Sequence, residues 1–149
     1  MLPVKFKKLS PLAKMPTYAN EGDAGADLYS IDYGVLQARE RRLISTGISI
    51  EIPKGYVGFI HPRSGLAAKL GISIVNAPGT IDSGYRGEIK VNIINHNTLP
   101  YSYCIGDRIA QIVFQQYEQA EFEEIEEDLE ESIRGVNGHG STGGFDGRI

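Results

Sequence analysis

Cysteine is almost absent from this sequence, which excludes several kinds of site. The single cysteine, Cys104, cannot form a disulfide within the chain or a cysteine-rich metal site, and a reducing compartment is its simplest setting. We expect its side chain to be a small, half-buried hydrophobic group. The patterns H-E-x-x-H and G-x-x-x-x-G-K-[ST] are also missing, which argues against a zinc hydrolase and a P-loop enzyme.

Long apolar runs and a dominant basic cluster are missing too. No apolar run approaches the length of a membrane span, so we expect a soluble, cytoplasmic protein with no membrane partner. The stretch Glu118 to Glu131 holds nine carboxylates and no Lys or Arg, although the whole chain carries only −4. The rest of the chain is therefore net basic. This distribution favours a small anionic ligand over nucleic acid, and no nucleic-acid partner is expected.

Helical periodicity is scarce, and turn residues are common. The 149 residues suit one domain, and 18 glycines and 7 prolines indicate many turns. Apolar and polar residues alternate with period two in several short segments, which predicts an all-β sandwich, barrel or jelly roll. The apolar positions of these predicted strands are Ile44, Ile48, Ile50, Ile52, Val57, Phe59, Ile89, Val91, Ile93, Ala110, Ile112 and Phe114.

Two segments depart from the strand pattern. Residues Ser64 to Leu70 predict one short helix, with Ser64 as its N-cap and Gly71 as its end. Phe122, Ile125 and Leu129 fit either a helix or an extended arm. We expect a β domain over residues 1–132 and a flexible, glycine-rich arm over residues 133–149, because the arm has too few apolar residues to pack alone.

The arm contains a glycine pattern with two interpretations. Gly138 to Gly143 matches the dinucleotide fingerprint G-x-G-x-x-G, but the six residues that follow in this sequence are too few for the helix and return strand, which argues against a Rossmann site. Its backbone N–H groups, with the Ser141 and Thr142 hydroxyls and the charge of Arg134, could instead wrap phosphate oxygens. The alternative is a plain glycine-rich linker.

A second candidate phosphate site lies at the predicted helix. Arg63, Ser64 and Gly65 would place a guanidinium, a hydroxyl and a backbone N–H group at its start, where an anion is favoured. The alternative is that Arg63 forms a surface ion pair and Ser64 only caps the helix.

A carboxylate and an aromatic ring occur together in residues 76–87, which we predict to form a β-hairpin ahead of a strand over residues 88–95. Asp82 could deprotonate a water molecule, and the Tyr85 ring could pack against a sugar. The alternative is that Asp82 only stabilises its own turn.

Two further segments each start a predicted strand with charged residues. Ala24 to Leu28 carries Asp27 between small residues, and Gly106 to Gln111 carries a charge pair. A carboxylate such as Asp27 could hold a water of a Mg²⁺ shell beside a triphosphate, because Mg²⁺ takes few protein ligands.

Taken in order, these five segments resemble the five motifs of the trimeric dUTP nucleotidohydrolases (dUTPases). The resemblance spans nearly the whole chain, from Ala24 to Gly143. It implies a jelly roll of the β-clip kind, a homotrimer with exchanged C-terminal arms, active sites at subunit interfaces, and Mg²⁺-dependent hydrolysis of dUTP to dUMP and pyrophosphate. Such an activity keeps uracil out of DNA and supplies dUMP for dTMP synthesis.

The resemblance also implies roles for individual residues. Asp82 is similar to the base that activates water, Tyr85 to the ring beneath the deoxyribose, and Asp27 to the carboxylate that supports the Mg²⁺ and water network. The other implied substrate-binding residues are Arg63, Ser64, Gly65, Asn76, Thr80, Ile81, Lys90, Gln111, Arg134, Gly140, Ser141 and Thr142.

The arm departs from the pattern R-G-x-G-G-F-G-S-T-G that is usual in this family. Counting from Arg134, Asn137 stands at a glycine position and His139 at the phenylalanine that stacks over uracil. We hypothesise that His139 stacks in its place, with Phe145 as the competing candidate. Glycine would let either register bend over the base.

Two other functions remain open at this point. A deoxycytidine-nucleotide deaminase shares the fold and the phosphate motifs, but it needs a glutamate at the cytosine ring, and Glu88 is not clearly placed for that. A non-catalytic jelly-roll regulator could bind dUTP only as a ligand, although the presence of both Asp82 and Tyr85 argues against it.

Overall fold

The computed structural model describes residues 1–137, whose regular secondary structure is β except for one short helix. Antiparallel pairing joins every strand of this region to its neighbours. The prediction of an all-β fold is confirmed. The elements are β1 (Lys5–Lys8), β2 (Ala26–Tyr29), β3 (Gly34–Leu36), β4 (Arg41–Ser45), β5 (Ile48–Glu51), β6 (Tyr56–His61), α1 (Ser64–Leu70), β7 (Ile72–Ile74), β8 (Gly79–Ile81), β9 (Lys90–Asn95), β10 (Tyr101–Tyr103) and β11 (Arg108–Gln116).

The strands form two main sheets and two strand pairs. The larger sheet has the order β2-β11-β6-β8, and the smaller has the order β4-β9-β7. The pairs β1-β5 and β3-β10 complete the set. Strands far apart in sequence therefore become neighbours, and the order β2-β11-β6 brings three of the predicted motifs side by side.

The core follows the predicted alternation. Along β9, Val91, Ile93 and Asn95 are buried while the intervening side chains are more exposed, as expected when successive residues of a strand point to opposite faces. Asn95 is the polar exception, and it is fully buried. Its amide nitrogen donates to the carbonyls of Leu36, Gln37 and Leu99 at 2.8 to 3.2 Å, so its hydrogen-bonding groups are satisfied.

The single predicted helix is confirmed over Ser64 to Leu70, but its start differs from the prediction. Arg63 occupies the N-cap position and makes no side-chain capping hydrogen bond, and Ser64 is the first helical residue. Gly71 ends the helix with φ +65°, a left-handed conformation that glycine adopts without strain.

The hairpin predicted for residues 76–87 does not form. β8 pairs with β6 in the larger sheet, whereas β7 and β9 pair with each other in the smaller sheet. The loop Asp82 to Ile89 therefore runs from one sheet to the other. Turn residues on both sides of an apolar strand suggested a local pairing, but each strand pairs with a partner that is distant in the sequence.

Two compact units divide the chain, one over Met1–Glu118 and the other over Gln119–Ile149. Residues 119–137 contain no helix or strand, so Phe122, Ile125 and Leu129 do not form the helical stripe. Cys104 is exposed instead of half-buried, because it stands in the turn between β10 and β11. Across residues 1–137, no helix has the length and apolar character needed to cross a membrane.

Candidate active site

The predicted site residues of the first unit lie mainly in two separate cavities. We name the first the loop cavity, because it lies beside the loop between β8 and β9. It has a volume of about 600 Å³ and is lined by Leu43, Thr80, Ile81, Asp82, Tyr85, Glu88 and Lys90. We name the second the arginine cavity. It has a volume of about 410 Å³ and is lined by Ala19, Asp23, Ala24, Gly25, Asp27, Arg63, Ser64, Gly65, Gln111 and Val113. The two cavities share no lining residue.

The loop cavity gathers residues from both main sheets. Thr80 and Ile81 belong to β8, Lys90 begins β9, and Leu43 lies on β4 opposite Asn92. Leu43 and Glu88 were not predicted as site residues. Leu43 lies on the exposed face of β4, outside the predicted apolar alternation, and the pairing of β4 with β9 places it at the cavity.

Asp82 does not stabilise its own turn through its side chain. Its backbone carbonyl, rather than its carboxylate, accepts the hydrogen bond from the Tyr85 N–H at 3.0 Å. No group of residues 1–137 donates a hydrogen bond to the carboxylate, which is exposed in the cavity. The carboxylate therefore remains available to accept a proton from a ligand or a water molecule.

Several contacts fix the Tyr85 ring beside Asp82. Its hydroxyl donates to the Glu88 carbonyl at 2.9 Å. The ring lies so close to Gly87 that a Cβ atom there would stand 2.6 Å from Cζ of Tyr85. The Arg86 guanidinium donates to the carbonyls of Ser83 and Tyr85 at 2.7 and 2.8 Å. These contacts hold the turn and the ring in one arrangement.

Glu88 is committed to two protein contacts in the same cavity. One carboxylate oxygen accepts from the Gly47 N–H at 2.9 Å, and the other lies 3.4 Å from the Lys90 ammonium. Lys90 is therefore held in the cavity by an ion pair, and Glu88 is less available for proton transfer than Asp82.

Sheet register builds the arginine cavity. Gln111 of β11 lies opposite Asp27 of β2 on one side and opposite His61 of β6 on the other. Arg63 follows His61 by two residues, so it reaches the same place. The Gln111 side chain donates to the Pro62 carbonyl at 3.1 Å. A Cβ atom at Gly25 would stand 2.9 Å from Cδ of Gln111, so the absence of a side chain there makes room for this amide.

Asp27 is the buried charge of the arginine cavity, with only 7% of its surface exposed. One carboxylate oxygen accepts from Arg63 Nε at 2.8 Å, and the other lies 3.3 Å from a terminal nitrogen of Arg108. Arg63 does form an ion pair, but its partner is this buried carboxylate instead of a surface group. Arg108 was not predicted as a site residue, since its motif indicated only a charge pair.

The described residues suit a Mg²⁺ ion that arrives with phosphates better than a dedicated metal cage. No cluster of three or more His, Cys, Asp or Glu side chains that could hold a metal occurs in residues 1–137. Each Asp27 oxygen already contacts a guanidinium, yet a carboxylate oxygen has a second lone pair that can accept from a water molecule. Mg²⁺ usually keeps several waters and takes one or two carboxylates beside its phosphates, which agrees with this arrangement.

The remaining predicted residues lie elsewhere. Asn76 is exposed and lines neither cavity; its amide lies close to Gly79. Arg134 belongs to the second unit, where its Nε donates to the Asn137 carbonyl at 3.0 Å. His139, Gly140, Ser141, Thr142 and Phe145 lie outside the described residues.

Comparisons with known proteins point in one direction. The dUTPase family profile matches residues 12–143. A deoxyuridine 5'-triphosphate nucleotidohydrolase of Nocardia farcinica is 52% identical over 143 residues, which cover 95% of this chain and 86% of the relative. A mutant dUTPase of Staphylococcus bacteriophage 80alpha, solved with dUpNHpp, superimposes with a TM-score of 0.89 at 31% identity and covers 95% of this chain and 98% of its own. A mutant dUTPase from phage phi11 of S. aureus was solved to show the coordination of a structural Mg(II) ion. It superimposes with a TM-score of 0.80 at 28% identity, and the match covers 86% of this chain and 99% of its own.

Proposed function

The chain belongs to the dUTPase family, and from this premise we propose that it hydrolyses dUTP to dUMP and pyrophosphate by attack of an Asp82-activated water on the α-phosphorus. The observation that carries this proposal is the loop cavity, where an unpartnered carboxylate stands beside a fixed tyrosine ring. Membership of the dUTPase family gives the fold, the enzyme class and the substrate class. The role of each individual residue below is part of our proposal.

In the loop cavity, we assign recognition of the deoxyribose to Tyr85. Its hydroxyl is engaged by the Glu88 carbonyl, so we assign the contact with the sugar to the ring face. A ring face held against the sugar leaves no room for a 2′-hydroxyl. Thr80, Ile81 and Lys90 line the same cavity and would contact the nucleoside. Asn76 lines neither cavity, and its proposed contact with the nucleoside rests on the family motif alone.

The reaction needs one base. The Asp82 carboxylate takes a proton from water while the water oxygen forms a bond to the α-phosphorus. The bond from that phosphorus to the oxygen bridging to the β-phosphorus breaks, and pyrophosphate leaves. Mg²⁺, when bound with the triphosphate, would neutralise charge on the phosphate oxygens.

The arginine cavity supplies the phosphate contacts. Arg63, Ser64, Gly65 and Gln111 all line it, which places a guanidinium, a hydroxyl, a backbone N–H group and an amide around one space. Arg134, Gly140, Ser141 and Thr142 of the C-terminal arm would close over the same phosphates and exclude bulk water. We keep the arm boundary at residues 133–149 as part of this proposal.

Since the two cavities share no lining residue within residues 1–137, we propose that a complete site joins the loop cavity of one subunit to the arginine cavity of a second. A homotrimer with exchanged arms would provide three such sites, because a closed ring of head-to-tail interfaces repeats the same contact.

The primary test is pyrophosphate release from dUTP, dCTP, dTTP and UTP, with Mg²⁺ and with a chelator. We expect Mg²⁺-dependent release from dUTP alone. Release of dUTP or dUMP from dCTP would identify a deaminase instead, and binding of dUTP without any release would indicate a regulator.

Replacing Gly87 with Ala should lower kcat/KM for dUTP by about ten- to a hundredfold, since small displacements of positioning groups have effects of this size. The new Cβ would collide with the Tyr85 ring and force it away from the Glu88 carbonyl. Gly84→Ala is the matched control in the same loop, because a Cβ there meets no atom within 4 Å. Equal kinetics for the two variants would contradict the role of the ring.

Replacing His139 with Phe should tighten binding of dUTP at pH 8, because a neutral imidazole offers a weaker stacking face than a phenyl ring. Below about pH 6.5 the imidazolium adds a cation near the nucleotide, so the native affinity should approach that of the variant. Affinities measured by calorimetry from pH 5.5 to 8 test this. A constant ratio between the two proteins would exclude stacking by His139.

A further inference from the structure

We propose that Ser49 is a positioning residue that sets the place of the Tyr85 ring, and with it the preference for a deoxyribose over a ribose. Ser49 lies outside the five sequence motifs and lines neither cavity. It acts through the backbone of the loop between β8 and β9. The inference rests on the proposed assignment of Tyr85 to the sugar.

Four hydrogen bonds fasten the loop Asp82 to Ile89 to the end of β4, the turn after it and β5. They run from the Ser49 hydroxyl to the Arg86 carbonyl at 2.7 Å, from the Gly47 N–H to the Glu88 carboxylate at 2.9 Å, from the Ile89 N–H to the Ile48 carbonyl at 2.8 Å, and from the Thr46 hydroxyl to the Ile89 carbonyl. All four partners are distant from the loop in the sequence. The support of the loop therefore comes from the tertiary fold, and not from the loop itself.

The Ser49 bond is the one of these four that lies nearest to the ring. Its acceptor, Arg86, directly follows Tyr85, whereas the other three bonds hold later residues. The Arg86 guanidinium donates in turn to the carbonyls of Ser83 and Tyr85 at 2.7 and 2.8 Å. Fixing the Arg86 backbone therefore also fixes the origin of the side chain that holds the turn before it.

The platform that carries Ser49 has little freedom of its own. Ser49 is only 8% exposed, so water cannot easily replace its hydroxyl at the Arg86 carbonyl. The Gly47 carbonyl accepts from the Leu9 N–H at 2.7 Å, and a Cβ atom at Gly47 would stand 3.0 Å from Cδ1 of Ile31. Packing from the opposite side thus keeps the platform in place.

A shift of the Arg86 backbone would move the whole seat of the ring. The Tyr85 hydroxyl donates to the Glu88 carbonyl, and the ring lies against Gly87, and both of these residues follow Arg86. A ribose differs from a deoxyribose by one oxygen atom, so a small displacement of the ring is enough to admit it. The preference for the deoxy sugar therefore depends on the Ser49 bond.

Ser49→Ala is the first test variant. It leaves the buried Arg86 carbonyl without its side-chain donor, so the backbone there should move toward another partner. We expect the ratio of kcat/KM for dUTP to kcat/KM for UTP to fall by about three- to tenfold, the size of one hydrogen bond. Ser49→Thr keeps the hydroxyl and should keep the native ratio. A fall of the same size in Ser49→Thr would contradict a role for the hydroxyl.

Ser30→Ala is the matched control. Ser30 is fully buried, and its hydroxyl donates to the Asp32 carbonyl at 2.8 Å, so this variant loses the same kind of bond away from both cavities. It should lower the midpoint of thermal unfolding at least as much as Ser49→Ala does, since the Ser30 hydroxyl also accepts from the Asp32 N–H. The ratio for dUTP and UTP should nevertheless remain native.

A double variant shows whether Ser49 acts through the ring. In Gly87→Ala the new Cβ already displaces Tyr85. Adding Ser49→Ala to it should change the ratio for dUTP and UTP by less than about twofold, because residues that act on the same group are not additive. Effects that multiply would mean that Ser49 does not act through Tyr85, which would contradict the inference.

Binding separates this inference from the proposed reaction. In dUpNHpp an imido bridge replaces the oxygen between the α- and β-phosphates, so calorimetry with dUpNHpp and its ribose counterpart measures the sugar preference without turnover. Ser49→Ala should lower the ratio of the two affinities by about three- to tenfold. A native ratio in Ser49→Ala, or an equal loss in Ser30→Ala, would overturn the inference. Failure of the native protein to hydrolyse dUTP would overturn the proposed function instead, and the two affinities would still decide the role of Ser49.

Discussion

Replacing Asp82 with Asn should lower the rate of pyrophosphate release from dUTP by about 10²- to 10⁴-fold, the range that a general base contributes. The Asp82 carboxylate accepts no hydrogen bond within residues 1–137 and stands exposed beside the Tyr85 ring. Asn has the same shape but cannot take a proton from water. Binding of dUpNHpp should therefore stay within a fewfold of native, while kcat carries nearly the whole loss.

Glu88→Gln is the matched control for this experiment. Glu88 lines the same cavity, but its carboxylate is committed to the Gly47 N–H and the Lys90 ammonium. We expect it to change dUTP affinity more than kcat. If Glu88→Gln abolished turnover while Asp82→Asn retained it, the base would have been assigned to the wrong carboxylate.

Mixing two inactive variants should restore activity. Asp82→Asn disables the loop cavity, and Arg63→Ala disables the arginine cavity, yet each chain keeps the other cavity intact. If a site joins cavities from different subunits, some sites of a mixed assembly combine two intact halves. If the two variants are present in equal amounts and their subunits mix at random, about a quarter of all sites should be active. Each site then has an even chance of an intact loop cavity and, independently, an even chance of an intact arginine cavity.

The measurement is pyrophosphate release after the two variants have been unfolded together and refolded. Native mass spectrometry on the same sample checks that mixed assemblies have formed. Mixed assemblies without activity would mean that both cavities of one chain serve the same site. Separately refolded variants, combined just before the assay, provide the baseline.

The sequence was informative wherever local chemistry decides the outcome. Period-two alternation predicts the buried face of β9, and a run of helix formers ended by Gly71 predicts the existence and the end of α1. The motifs around Asp82 and Arg63 contain residues that line the two cavities. These signals depend on side chains within a few residues of one another.

Long-range pairing accounts for most of what the sequence did not predict. Nothing in the loop around Asp82 shows that its two flanking strands join different sheets, so a hairpin was predicted there. The pairing of β11 with β2 shifts register between Arg108 and Ala110, which brings Arg108 within reach of Asp27. The pairing of β4 with β9 places Leu43 in the loop cavity. Both pairings join strands that lie many residues apart in the sequence. Serine is a residue type preferred at the N-cap, so Ser64 was predicted there, but the N-cap of α1 is the preceding residue, Arg63.

The separation of the two cavities also bears on assemblies that mix native and damaged subunits. If each site joins cavities of two subunits, as we propose, a chain with one damaged cavity still supplies its intact cavity to a neighbour. When native and Asp82→Asn subunits are made in equal amounts, about half of the sites would then keep a working base, so that activity falls in proportion to the share of damaged subunits.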